Sequence, residues 1–162
     1  MKLKLTDKEV IRLIELSKKV LMHYNIKVED VGNGEIEINS NEGTERFILS
    51  YFIKPGKITI NYRETIYNLS LVRLNLNNGF HKNANNERVF GNRINIYSEK
   101  EFEKKGDGST YMIAHPLPYK SFEDTSDFVQ QLYAMLKYTN TKYDDKIIID
   151  EYIFDKEGWN HV

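Results

Sequence analysis

The sequence predicts an α+β fold, a mostly antiparallel sheet of about six strands flanked by an N-terminal and a C-terminal helix. Three observations carry that prediction. Apolar residues recur at helical spacing near the start of the chain and again after residue 127. Between those segments they alternate with period two, and the links between alternating runs are short and rich in Gly, Pro and Asn. With 162 residues, 40% hydrophobic and 29% charged, the chain can build one self-supporting core and is too apolar for wholesale disorder. A single domain over residues 1–162 is expected, without repeat or linker.

The first element is announced by Thr6 and Glu9, spaced as a capping box in which each side chain serves an orphan backbone N–H. Val10, Leu13, Ile14, Leu21 and Tyr24 then mark one apolar stripe, which predicts a helix from about Asp7 to Tyr24 with Lys18 on its flank. Ile36 and Ile38 alternate with Glu35, Glu37 and Asn39 and predict the first strand. Phe47, Leu49, Tyr51 and Ile53 predict the second, and Pro55-Gly56 the turn into a third at Ile58, Ile60 and Tyr62. The fourth runs from Ile66 to Leu76, the fifth from Gly91 to Ser98 and the sixth from Thr110 to His115, all as an antiparallel meander. Glu99 to Gly108 reads as an exposed charged loop or a single helical turn. Asp124 and Asp127 precede a second helix whose buried stripe is Phe128, Leu132, Met135 and Leu136. Ile147 to Ile149, with Tyr152, Ile153 and Phe154, predict a further strand or a docked extension.

Composition removes several classes of chemistry. There is no cysteine, which excludes disulfides, thiolate metal sites and a cysteine nucleophile. The four histidines lie far apart, with no metal-binding spacing, and no phosphate loop or nucleophile elbow occurs. No metal and no cofactor are expected. No apolar run is long enough to span a bilayer, and the first residues lack a signal-peptide core, so the expected location is the cytoplasm. The net charge of −1, from 23 basic and 24 acidic residues, gives no global pull toward nucleic acid. A basic lean in the middle of the chain leaves room for a local patch. The acids from Asp144 to Glu157 are interrupted by Lys146 and Lys156, and read as a solvated segment with an apolar anchor.

Residues 71–99 are the exception to an otherwise generic core. Two strand-like runs bring Arg73, Asn75, Arg93, Asn95 and Tyr97, and the loop between them brings His81, Lys82 and Asn83. If these strands pair, Arg73 and Arg93 stand near each other with His81 above them, an arrangement that guanidinium groups adopt around an anion or a stacked aromatic. The runs Leu71–Leu76, Gly79–Asn83, Gly91–Tyr97 and Ala114–Pro118 resemble an uncharacterised family of small bacterial and phage proteins. That family joins an Arg-bearing strand and a His-x-Asn loop to a Gly-x-His-Ile-His-Ile-Tyr strand. Arg73, His81, Asn83, Gly91 and Tyr97 match it, whereas Arg93 and Asn95 stand where the pattern places two histidines.

These eight residues support two functional expectations. The first is a phage or mobile-element accessory protein that acts by binding a protein partner, inhibiting a host defence machine such as a CRISPR nuclease or another defence component. The resemblance implies that setting; no single residue carries it. The second is a nucleic-acid binder, or a metal-independent ribonuclease or phosphodiesterase in which His81 transfers protons and Arg73 and Arg93 hold phosphate. Against both stands the plain alternative that His81 and the asparagines satisfy backbone groups in a long hairpin loop.

Overall fold

Helix α1 spans Asp7–Glu15, and the computed structural model describes residues 2–151 of the chain. The capping box forms as the sequence predicts: Thr6 accepts from the Glu9 amide, and the Glu9 carboxylate accepts from that of Thr6. Val10, Leu13 and Ile14 are buried. The helix stops nine residues short of its predicted end at Tyr24. Leu16 turns to extended ψ, and Lys18 reaches back so that its ammonium donates to the carbonyls of Leu13 (2.5 Å), Ile14 (3.0 Å) and Leu16 (2.6 Å). These are the carbonyls a helix end leaves without partners. Lys18 is fully buried, its nitrogen 5.1 Å from the centre of the Phe47 ring. Burial lowers its ammonium to about 7, with the Glu45 charge acting the other way. The three carbonyls favour the charged form, which alone has three N–H groups to give.

The residues expected to continue the helix form two strands, β1 (Lys18–Val20) and β2 (Tyr24–Val28). Leu21, assigned to the apolar stripe, is exposed, and the His23 ring lies 3.3 Å from the Lys146 ammonium.

The meander follows as β3 (Gly32–Ser40), β4 (Arg46–Lys54), β5 (Lys57–Glu64) and β6 (Ser70–Leu76). Alternation here is strict enough that Ile36, Ile38, Phe47, Leu49, Ile60, Tyr62 and Leu74 all lose contact with water. Gly34 sits opposite Tyr51, whose ring occupies the space a Cβ would need. β6 starts four residues later than predicted, because the Glu64 carboxylate accepts from the amides of Tyr67 and Leu69 and closes a turn there. Two short strands, β7 (Phe80–Lys82) and β8 (Arg88–Phe90), then pair with each other. They are followed by β9 (Arg93–Tyr97), α2 (Glu99–Lys105), β10 (Met112–Pro116), α3 (Phe128–Tyr138), β11 (Thr141–Lys142) and β12 (Ile147–Glu151).

The main sheet has eight strands in the order β10-β9-β6-β5-β4-β3-β1-β11, larger than the six predicted. All its neighbours are antiparallel except β1 and β11. β12 is the further strand foreseen at the end of the chain, pairing in parallel with β2; Tyr152, Ile153 and Phe154 lie outside the described residues. α1 and α3 pack on one face of the sheet, with the Phe128 ring 5.1 Å from that of Tyr51. The third helix, α2, stands where the sequence predicts an exposed loop or a single helical turn, and its 7 residues exceed one turn. Ser98 caps it by accepting from the Glu101 amide, and Gly106 ends it in the left-handed conformation. No helix among the described residues is long and apolar enough to cross a membrane.

Lys18→Met keeps the buried stem and removes the three donors. Leaving those carbonyls unpaired is expected to lower stability by about 2–4 kcal/mol in chemical denaturation, and a loss under about 0.5 kcal/mol would contradict the capping role.

Candidate functional site

The site begins with strand register. β6 and β9 are neighbours, with Arg73 opposite Asn95 and Asn75 opposite Arg93, while Leu74 and Ile94 point to the core between them. The four polar residues therefore share the face that α1 and α3 leave uncovered. The two guanidiniums do not converge on that face. Arg73 Nε donates to Asn61 Oδ1 (3.2 Å) and its Nη2 to Ser70 Oγ (3.4 Å), toward the start of β6. Arg93 Nη1 donates to Asn77 Oδ1 and to the Gly91 carbonyl, both at 2.8 Å, beyond the end of β6. Asn75 Nδ2 donates to Asn95 Oδ1. Arg73 is exposed, whereas Arg93 and Asn95 are each 8% exposed.

What buries them is the ribbon formed by β7 and β8. Its anchor is Asn83, which is 4% exposed. The Asn83 carboxamide donates to the Ala114 carbonyl (3.0 Å) and accepts from the Ala114 amide (2.9 Å). Ala114 lies on β10, one of the two outermost strands of the sheet, so one side chain supplies the pairing that a further strand would give. Two contacts to α2 complete the attachment. The buried Glu101 carboxylate accepts from the Ala84 amide (2.6 Å), and the Lys105 ammonium donates to the Lys82 carbonyl (2.5 Å).

Alternation then sorts the ribbon's side chains. His81 pairs with Val89, and both turn inward; Val89 is buried, and His81 Nε2 is buried without a hydrogen-bond partner. The His81 pKa is lowered, chiefly by burial, with the positive charges of Lys105 and Arg93 acting in the same sense and Glu101 against them. Its imidazole is therefore neutral at neutral pH. Phe80 pairs with Phe90 and Lys82 with Arg88, and all four are exposed on the outer side. The Phe rings lie 5.3 Å apart, and the Arg88 guanidinium sits 5.3 Å from the Phe80 ring.

Tyr97, expected beside Arg93 on a wet face, is 5% exposed and donates its hydroxyl to the Leu5 carbonyl at 2.6 Å. Burial pushes that hydroxyl up to about 12. The eight predicted residues therefore divide: Asn83, Arg93, Asn95 and Tyr97 work inside the protein, His81 is turned inward, Asn75 bonds a neighbour, and Arg73 and Lys82 meet solvent. Sequence reasoning missed Glu101, Lys105 and the Phe80–Phe90 pair. The Ser98-x-x-Glu101 spacing is a capping signature that marks α2, and the Phe pair is visible as aromatic ends of two matched short strands. Among the described residues no three His, Asp or Glu side chains gather as a metal site requires.

The profile of a protein family described as a family of unknown function (DUF6978) matches residues 5–141, which run from just before α1 into β11 and include the whole ribbon. No curated protein and no solved structure matches the chain.

The inward imidazole has a consequence for stability. Folded His81 holds its proton less tightly than the unfolded chain, whose value lies near 6.5, so stability falls as pH drops below 6.5 and levels once folded His81 is itself protonated. The denaturation midpoint measured from pH 7.5 to 4.5 is expected to fall less for His81→Gln than for the wild type. Parallel curves would show that His81 contributes nothing to the slope.

Proposed function

The chain belongs to the family of unknown function DUF6978, and on that footing we propose that it works by binding a partner and not by turning over a substrate. The observation that carries this reading is where the candidate donors are spent. A phosphodiesterase of the kind His81, Arg73 and Arg93 would form needs an accessible acid–base group beside a clamp on the anion. His81 instead turns its Nε2 into the interior, Arg93 is held by Asn77 and Gly91, and Arg73 leans the other way onto Asn61 and Ser70. Binding asks only for a rigid surface, and the docked ribbon is one. The finer form of the proposal is an accessory protein of a phage or mobile element that occupies a host defence machine, such as a CRISPR nuclease. Its support is the sequence resemblance and analogy.

The test is a turnover assay with labelled single-stranded RNA and with cyclic nucleotides. Neither is expected to be consumed, and His81→Ala is expected to match the wild type. Cleavage by the wild type that His81→Ala abolishes would overturn the reading.

A further inference from the structure

We infer that the outer face of the β7–β8 ribbon is a binding surface for single-stranded nucleic acid, an inference that rests on the binding function proposed above. The starting point is a pairing that is unfavourable on its own. Lys82 and Arg88 are directly opposite on one face of the ribbon, where like charges repel. Neither makes an ion pair among the described residues. Between Phe80 and Phe90 the only carboxylate is that of Glu87. The next cross-strand pair on the same face is Phe80 and Phe90, 49% and 63% exposed.

Single exposed apolar side chains are ordinary. Two aromatic rings in contact, bordered by two unpaired cations, on a ribbon fixed by Asn83, Glu101 and Lys105, form a defined chemical pattern. Each nucleotide offers a flat face to stack on a ring and a phosphate to meet a cation, and platforms for single strands combine these two elements. A duplex hides its base faces, so the rings select unpaired bases. Phe80, Phe90 and Arg88 are residue types that protein interfaces also use. It is the opposed cations Lys82 and Arg88, without a carboxylate partner among the described residues, that favour a polyanion. The net charge of −1 supplies no long-range attraction. Binding therefore depends on the ribbon itself, and two phosphate contacts give a shallow salt dependence, a slope of about −1.4 in log K against log salt.

The test is fluorescence anisotropy of the full chain with labelled oligothymidylate and oligouridylate at several salt concentrations, with the oligonucleotide checked for integrity afterwards. Saturable binding is expected, weakened at least about tenfold by Phe80→Ser with Phe90→Ser. Lys82→Gln with Arg88→Gln is expected to weaken it and flatten the salt slope. These side chains face solvent, and circular dichroism checks that the variants remain folded. Absence of saturable binding, or binding untouched by both double variants, overturns the inference. An oligonucleotide left intact but unbound removes this inference alone, including the case in which the ribbon contacts a protein. An oligonucleotide cut in a His81-dependent way removes the binding reading beneath it.

Discussion

The arrangement of the candidate site depends on one carboxamide. An outermost strand presents amides and carbonyls that pair with whatever comes near, and folded proteins usually blunt such edges. Here Asn83 takes both hydrogen-bonding groups of Ala114, using the donor and acceptor of one side chain as a strand uses its backbone. That contact fixes the ribbon against the sheet. Once the ribbon is fixed, Arg93, Asn95 and Val89 are buried, His81 faces inward, and Phe80, Phe90, Lys82 and Arg88 face outward. Glu101 and Lys105 make the ribbon's backbone contacts with α2, and neither replaces the pairing at β10.

Much of the fold was legible because alternation reports burial directly. β3 to β6, the capped start of α1 and the apolar stripe of α3 follow from spacing alone, whereas the pairing of β6 with β9 is a supposition that the strand register meets. The end of α1 does not. Leu21 and Tyr24 fall at helical positions, and what stops the helix is a lysine that spends its charge on three carbonyls. Spacing says nothing about a side chain that folds back on the turn before it. The short run of Glu and Lys in α2 likewise hid a helix, because its buried member is Glu101, whose role is to accept the Ala84 amide.

The candidate site was legible in membership more than in direction. The paired strands carry Arg73, Asn75, Arg93 and Asn95 on one face, as alternation implies. Alternation cannot show that a second layer, which turns His81 and Val89 inward, lies against that face. A polar strand reads as exposed unless something hydrogen-bonds it from above. The Asn77 carboxamide oxygen and the Gly91 carbonyl do so for Arg93, and the Leu5 carbonyl does so for Tyr97. The exposed aromatic pair is accordingly one the sequence makes inconspicuous, two phenylalanines at the ends of three-residue strands.

The most direct measurement is amide hydrogen exchange at Ala114, compared between the wild type and Asn83→Leu. If Asn83 is the anchor, the Ala114 amide is strongly protected in the wild type. In the variant it loses that protection together with the ribbon amides, while Ile60 in the middle of the sheet keeps its own. Rapid exchange at Ala114 in the wild type, or protection that survives loss of the carboxamide, would contradict the account.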